Sequence, residues 1–138
     1  MKVLFDTNVV LDLLLDRAPF VENAVRLFDQ VESGKITGFL GATTITTLDY
    51  LLKKNLPIKE ATHAVKQLLQ LFEIAPVNRL VLEAALKSNF SDFEDAVLHA
   101  AAIHSGAEAI VTRDESGFSK SKLAIYSPEM LLNAFPSR

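Results

Sequence analysis

Four aspartates stand where the ends of strands and helices would bring acidic side chains together. Asp6 directly follows the first apolar run of the chain, and Asp114 closely follows a late one. Asp92 and Asp95 are three residues apart at the start of a helical segment, so both project from one side of that helix. Carboxylates that converge on one cleft raise one another's pKa unless a cation neutralises them. The pattern therefore predicts a metal site.

The chemistry of such a site follows from its ligands. Oxygen ligands without a His or Cys cluster favour Mg²⁺ or Mn²⁺ over zinc. One such cation, or a pair about 4 Å apart, activates a water molecule and stabilises the leaving oxygen of a phosphodiester. The chain contains no GxxxxGK[ST] loop, no GxGxxG and no GxSxG, so no motif points to a rival chemistry. A metal-dependent nuclease is the function that these acids predict.

Structural roles would also account for several of these acids. Asp92 is suited to cap the helix that it opens, and Asp95 in the first turn is favoured by the helix dipole. Asp114 lies in a polar segment, where an acid is ordinary. Asp6 is harder to explain in this way, because an acid directly after a buried strand is poorly solvated. Asp6 is therefore the strongest single indication of a functional site.

The three histidines are not predicted to be ligands. His63 falls in a regular amphipathic helix, where we expect it on the surface. His104 lies near the end of a helix, where a histidine interacts favourably with the dipole. His99 is one turn beyond Asp95, and we expect it to pack within the fold rather than to join the acids.

Three basic residues are candidates for substrate binding. Arg113, Lys120 and Lys122 are expected to flank the cleft and to contact phosphate groups. The net charge of the chain is −3, whereas nucleic-acid-binding domains usually have a basic face. The charge therefore favours an enzyme that holds its substrate through a bound cation over a passive binder of nucleic acid.

Composition limits the class of protein. The chain has 138 residues, of which 49% are hydrophobic and 22% are charged, so we expect one folded domain over residues 1–138 rather than a disordered chain. No apolar run approaches the roughly 18 residues that a membrane span needs, and the first residues lack the pattern of a secretion signal. With no cysteine, disulfides and thiolate metal sites are excluded. We expect a cytoplasmic protein.

Short apolar segments alternate with amphipathic helices, which predicts an α/β fold with a parallel sheet covered by helices on both faces. Asn8 is expected to cap the first helix, and Thr43 or Thr44 the third. The predicted strands are Val3–Phe5, Ile36–Leu40, Ile74–Val77, Ala109–Thr112 and Leu123–Tyr126. The first predicted helices are Val9–Leu15, a helix that begins at Val21 and is ended by Gly34, and a helix that ends near Lys54. The later ones are Ile58–Phe72, Leu80–Leu86, a helix that ends at His104 and a helix that begins at Pro128. The segment Arg113–Lys122 is predicted to be a polar loop.

At these residues the chain resembles the PIN-domain family, and in particular the bacterial ribonuclease toxins of the VapC type. The resemblance spans essentially the whole chain, and its specificity comes from short motifs that occur in the expected order. They are Phe5-Asp6-Thr7-Asn8-Val9-Val10-Leu11-Asp12, Ala42-Thr43-Thr44-Ile45-Thr46-Thr47, Asp92-Phe93-Glu94-Asp95-Ala96, Ile110-Val111-Thr112-Arg113-Asp114 and Ser127-Pro128-Glu129. A further segment, Asp16-Arg17-Ala18-Pro19-Phe20, looks like a particular subgroup of these proteins.

The resemblance implies a three-layer sandwich around a parallel sheet of five strands, and an endoribonuclease that depends on Mg²⁺ or Mn²⁺. It implies RNA as the substrate, a cognate antitoxin protein as a partner, and a homodimer or higher homo-oligomer. Carried over by position, the metal-binding acids are Asp6, Asp95 and Asp114, with Asp92 as an accessory acid. Asn8 and Thr112 match polar residues that support the site.

One position departs from the family pattern. Many members carry a glutamate in the helix after the second strand, and the matching residue here is Thr47. Asp49 is two residues further on, and a rotation of about 200° around a helix points it elsewhere. The departure motivates a second hypothesis, a binding module for RNA or protein that keeps the fold without the catalysis. A phospho-accepting α/β domain is a third, weaker hypothesis, because Ser127-Pro128 stands where that class has a lysine.

Overall fold

A single parallel sheet forms the centre of the molecule. The computed structural model describes residues 1–135. In that part of the chain the sheet has five strands in the order β3-β2-β1-β4-β5, and every neighbouring pair is parallel. The strands are β1 Lys2–Phe5, β2 Thr37–Gly41, β3 Glu73–Ala75, β4 Ala109–Val111 and β5 Ala124–Tyr126. The predicted α/β class and five-stranded parallel sheet are confirmed.

Helices connect the strands and cover both faces of the sheet. They are α1 Thr7–Leu14, α2 Val21–Glu32, α3 Ala42–Asn55, α4 Ile58–Leu71, α5 Arg79–Lys87, α6 Phe93–His104 and α7 Pro128–Asn133, and a short 3₁₀ helix spans Glu115–Phe118. Within the described residues, none of these helices combines the length and apolar character that crossing a membrane requires.

The alternation of side chains along β1 produces two cores. Val3 and Phe5 point to one face, where they pack with buried residues of α1, α2, α3, α4 and α7. Leu4 points to the other face and packs against α5 and α6. Because successive side chains of a strand point to opposite faces, a central strand buried on both sides is apolar throughout. The three-layer arrangement therefore follows from the sequence of β1.

Two predicted helix caps are wrong. Asn8 lies inside α1, and Asp6 is the capping residue, since its Oδ1 accepts a hydrogen bond from the Thr7 backbone N–H at 2.8 Å. The helix thus begins two residues earlier than expected. The third helix begins at Ala42 after Gly41, so neither Thr43 nor Thr44 caps it. In both places the chain passes from strand to helix within one residue or none, and sequence patterns locate such boundaries poorly.

The segment after β4 is also more ordered than a polar loop. Asp114 caps the 3₁₀ helix, and Phe118 at its end is 1% exposed and packs in the core beside α6. The burial of Phe118, an apolar residue among polar neighbours, holds this segment against the core.

Candidate active site

The sheet edge at the carboxyl ends of β1 and β4 brings the first candidate residues together. The strand order reverses between these two strands, which is where open α/β sheets bind ligands. Asp6 follows β1, and its backbone N–H donates to the carbonyl oxygen of Val111 at 3.0 Å. Asp6 thereby continues the ladder with β4, and Thr112 follows β4 beside it.

Asp6 is a buried carboxylate, and within residues 1–135 the side-chain hydrogen bonds that it accepts come from neutral donors. It is 8% exposed. Its Oδ2 accepts from the Thr112 hydroxyl at 2.8 Å and from the Asn8 side-chain amide at 3.4 Å, while Oδ1 caps α1. Burial raises the pKa of Asp6, and the charges of Asp114 and Asp92 add to that rise, whereas the bonds from Thr112 and Thr7 oppose it.

The Thr112 hydroxyl connects two of the acids. It donates to Asp6 and accepts a hydrogen bond from the backbone N–H of Asp114 at 2.9 Å. Asn8 ties the same loop down, because its side-chain oxygen accepts from the backbone N–H of Arg113 at 3.2 Å. Thr112 and Asn8, predicted to support the site, therefore both contact Asp6 or its neighbouring loop.

The start of α6 supplies two further acids to the same site. Asp92 caps the helix by accepting from the backbone N–H of Asp95 at 3.0 Å. Partial burial and the nearby charges of Asp6, Asp92 and Asp114 raise the pKa of Asp95 to about 7. The charges of Asp6, Asp92, Asp114 and Glu94 all oppose the ionisation of Asp95, and a bound cation would offset them.

These acids open onto one shallow groove, the acidic groove, with a volume of about 400 Å³. It is lined by Asp6, Thr7, Asn8, Leu11, Arg17, Asp92, Glu94, Asp95, Arg113 and Asp114. All four predicted metal-binding acids therefore line the same groove, with Glu94 as a fifth acid.

Gly117 makes room for two of these carboxylates. A Cβ atom at this position would lie 2.7 Å from Asp95 Oδ2 and 2.9 Å from Asp114 Oδ2. Any side chain here would displace one or both oxygens. The sequence analysis did not identify Gly117, because nothing in the local pattern shows that two acids from other segments approach it.

A second buried aspartate, Asp12, lies behind the groove and has cationic partners. It is 1% exposed. Arg17 Nε contacts its Oδ1 at 3.0 Å, and Arg113 contacts both oxygens, at 2.6 Å from Nε and 3.1 Å from Nη2. The Arg113 guanidinium also lies 3.8 Å from the centre of the Phe20 ring. The sequence analysis gave Asp12 no role, although an acid among apolar helical residues is the signal that could have identified it.

The three basic candidates do not come together. Arg113 lines the acidic groove, but Asp12 holds its guanidinium. Lys120 and Lys122 line a different groove, the lysine groove, with Lys87 and Phe90 between α5 and α6. The expectation that all three flank one cleft is therefore wrong. After Asp114 the chain runs through the buried Phe118, and this path brings the two lysines into the lysine groove.

His99 packs within the fold, as predicted. It is 5% exposed and stacks on Phe90 with ring centres 4.8 Å apart. Its Nε2 accepts from the backbone N–H of Lys122 at 3.1 Å, and burial, with the Lys122 charge, lowers its pKa. His63 is exposed, and His104 contacts the Ala100 carbonyl at the end of α6, as expected.

The helix after β2 contributes no acid to the groove. The Thr47 hydroxyl donates to the carbonyl oxygen of Thr43 within α3 at 3.1 Å. Asp49 forms an ion pair with Lys53 at 2.9 Å. Neither residue lines the acidic groove, so Asp49 does not supply the carboxylate that the family resemblance led us to expect at Thr47.

The donor set fits a hard divalent cation by its chemistry. Mg²⁺ and Mn²⁺ take oxygen ligands, and the acidic groove offers several carboxylates, of which Asp6 and Asp95 have pKa values raised by burial and by neighbouring charges. Over residues 1–135, no three His, Cys, Asp or Glu side chains form a ready-made metal-binding group. The carboxylates therefore line the groove without yet converging on one point.

Comparison with known sequences identifies the family to which the chain belongs. A sequence model of the PIN domain matches residues 2–116 of the chain. The chain belongs to the PIN-domain family. Ribonuclease VapC1 of Aquifex aeolicus (strain VF5) is 28% identical over 123 residues, which cover 86% of this chain and 85% of that protein. Residues 2–116, which the PIN-domain model matches, contain every acid that lines the groove.

Solved structures of low sequence identity share the PIN fold. VapBC2 from Rickettsia felis, bound to a DNA fragment from its promoter, superposes with a TM-score of 0.74 at 12% identity, covering 92% of this chain and 98% of that one. FitAcB from Neisseria gonorrhoeae superposes with a TM-score of 0.71 at 23% identity, again covering 92% and 98%. The resemblance seen in the sequence is thus confirmed for the family and for the fold.

Proposed function

We propose that the protein is an endoribonuclease that depends on Mg²⁺ or Mn²⁺. The observation that carries this proposal is that Asp6, Asp95 and Asp114 line the same acidic groove, at the strand-order reversal of a PIN domain. The relative named ribonuclease VapC1 supports RNA as the substrate. Asp92 lies within the same groove as an accessory acid.

The residues of the chain have distinct roles in this proposal. Asp6 and Asp95 would hold the cation, and Asp114 would ligate it or position a water molecule. When bound, the cation supplies an activated water and stabilises the departing oxygen of the phosphodiester. Thr112 and Asn8 orient Asp6 through their hydrogen bonds. Such supporting contacts fix the direction in which a carboxylate presents its free lone pairs.

The test is RNA cleavage by purified protein in the presence of Mn²⁺ or Mg²⁺. Asp6→Asn is expected to lower the cleavage rate by at least about 100-fold, because it removes the buried charge that holds the cation. Asp29→Asn changes an exposed aspartate of α2 in the same way and should keep full activity. Equal cleavage by the wild type and Asp6→Asn would refute the assigned site.

Thr47 favours a second candidate function, a PIN-fold module that binds RNA or protein without cutting. Its hydroxyl is engaged inside α3, so the groove lacks the acid that many family members place there. This alternative predicts RNA or partner binding and no cleavage with either metal. Thr47→Glu would then be expected to create or increase Mn²⁺-dependent cleavage, whereas an already efficient wild-type enzyme would exclude the module.

We also propose that the protein acts as the toxin of a toxin–antitoxin pair. The support is its similarity to proteins solved as VapBC and FitAB assemblies. Co-expression with the product of the adjacent gene is expected to yield a stable complex and to suppress cleavage. Self-association into a homodimer would be measured on the same material by light scattering. Free protein at full activity in the presence of that product would contradict the pairing.

Lys120 and Lys122 remain candidates for binding phosphate, now from the lysine groove rather than from the cleft. Replacing both with glutamine is expected to weaken RNA binding and to reduce its dependence on salt concentration. The same change at Lys53 and Lys54 on α3 is the matched control. An unchanged salt dependence would remove the two lysines from the substrate path.

A further inference from the structure

A second groove lies beside the acidic groove at the same edge of the sheet. It has a volume of about 490 Å³ and is lined by Pro19, Phe20, Asn23, Arg113, Ser127, Pro128 and Glu129. We call it the stacking groove. Arg113 lines both grooves and immediately precedes Asp114 in the chain. A ligand that crosses Arg113 would therefore pass directly from one groove to the other.

The wall between the two grooves is rigid. Asp12 holds the Arg113 guanidinium through two hydrogen bonds, at 2.6 and 3.1 Å. The same guanidinium lies 3.8 Å from the centre of the Phe20 ring, and Phe20 is nevertheless 40% exposed. Arg17 secures Asp12 from the other side at 3.0 Å. The segment Asp16-Arg17-Ala18-Pro19-Phe20 thus builds a fixed aromatic and guanidinium surface at the mouth of the groove.

The chemistry of the lining suits a nucleobase better than a phosphate group. The two charged residues that line the stacking groove, among the residues that the structure describes, are Arg113 and Glu129. Asp12 accepts two hydrogen bonds from the Arg113 guanidinium, and the face of that guanidinium lies against the Phe20 ring, so a phosphate in the groove would meet an engaged cation and one acid. A base instead finds an exposed aromatic ring, the amide of Asn23 and the carboxylate of Glu129. Unpaired RNA bases are recognised by stacking on aromatic or arginine planes and by hydrogen bonds to their edges.

We propose that the stacking groove binds the base of a nucleotide adjacent to the phosphodiester in the acidic groove. This inference rests on the proposed ribonuclease function and names a determinant of its sequence preference. Phe20 supplies the stacking surface, and Asn23 and Glu129 contact the base edge. Because the lining includes both donors and an acceptor, the groove distinguishes among bases rather than accepting each equally.

The test measures binding of a single-stranded RNA pentamer with Ca²⁺ in place of Mg²⁺ or Mn²⁺, because Ca²⁺ takes the same kind of oxygen ligands in a looser geometry and is expected to hold the RNA without cutting it. Phe20→Ala is expected to weaken binding about tenfold, within the range for loss of one stacked base. Phe20→Leu keeps an apolar side chain without a ring and should lose as much, whereas Phe20→Trp should retain affinity. Tyr50→Ala is the matched control, because Tyr50 is an exposed ring with Lys54 4.5 Å from its centre on a distant helix.

A second measurement locates the base. Each nucleotide of the pentamer is replaced in turn by an abasic one. One position is expected to cost the wild type about tenfold in affinity and to cost Phe20→Ala nothing, because the contact is already absent. Asn23→Ala, which leaves the ring in place, is expected to alter which base is preferred at that position.

The outcomes separate this inference from the proposed function. If Phe20→Ala binds and cleaves RNA as the wild type does, the groove is not a base site and the ribonuclease stands. If binding depends on Phe20 but neither metal supports cleavage, the base site stands and the ribonuclease fails. If the change weakens only a complex with a partner protein, or if the wild type binds no RNA, the inference is wrong.

Discussion

Asp6 and Asp12 are two buried aspartates six residues apart, and their surroundings are opposite. Asp12 is 1% exposed and contacts two arginines. Asp6 is 8% exposed, its side-chain hydrogen bonds within the described residues come from neutral donors, and the charges that shift its pKa are those of other carboxylates. A buried carboxylate with a cationic partner is explained by the fold itself. A buried carboxylate without a cationic partner is expected to bind a cationic ligand when it is charged. This difference distinguishes a structural acid from a functional one.

The largest effect is expected from the same substitution at the two positions. Asp12→Asn should lower the free energy of unfolding by about 3 kcal/mol, because it breaks two ion pairs and turns an amide toward a guanidinium. Asp6→Asn should change it by less than about 1 kcal/mol in metal-free protein, since losing one hydrogen bond offsets the removal of an uncompensated charge. Urea unfolding in EDTA measures both values. Equal destabilisation would show that the two acids do not differ as proposed.

The next effect concerns Mn²⁺. A cation that binds only the folded protein stabilises it by about 2.7 kcal/mol at 100 times its dissociation constant. Thermal unfolding of the wild type should therefore shift upward with Mn²⁺, and the shift should disappear in Asp6→Asn and Asp95→Asn. Asp12→Asn begins less stable but should keep its Mn²⁺ increment. A full increment in Asp6→Asn would place the cation elsewhere.

A smaller effect is expected at Gly117, which the side chains of Asp95 and Asp114 approach closely. Gly117→Ala should weaken Mn²⁺ binding about tenfold, equivalent to about 1.4 kcal/mol, because the new Cβ displaces Asp95 Oδ2 and Asp114 Oδ2. Gly34→Ala is the contrasting control, since Gly34 has a φ of +84° and nothing within 4 Å of an added Cβ. That variant should lose stability and retain Mn²⁺ affinity. Isothermal titration distinguishes the two patterns.

The sequence predicts those parts of the site that depend on local patterns. Asp6 directly follows an apolar strand. The three-residue spacing of Asp92 and Asp95 predicts that both lie at the start of one helix. Parallel strands then bring these acids to one sheet edge. The structure shows Asp6, Asp92 and Asp95 around a single groove, which agrees with that reasoning. Hydrophobic periodicity and strand ends therefore predict a site residue correctly when its position within one strand or helix determines where it lies in the fold.

The remaining features depend on contacts between distant segments. The pairing of Asp12 with Arg113 joins residues 101 positions apart. The tight space at Gly117 exists only because two other segments approach it. Lys120 and Lys122 follow Asp114 closely in the chain, yet the burial of Phe118 diverts them into the lysine groove. Periodicity contains no information on such contacts, so these features became visible only in the folded chain.

The smallest effect is a dependence of stability on pH that originates at Asp95. Its pKa rises from 3.8 to about 7 on folding, so between these values the folded state binds more protons than the unfolded state. Stability of the metal-free protein must then fall as pH rises. Asp95→Asn removes this term, and its advantage over the wild type should grow by about 1 kcal/mol between about pH 5 and pH 8, a figure reduced from the full shift because Asp95 is partly exposed. Asp29→Asn should show no such growth. An advantage that stays constant with pH would mean that folding does not raise the pKa of Asp95, and that the groove already contains a positive charge of the kind that distinguishes Asp12 from Asp6.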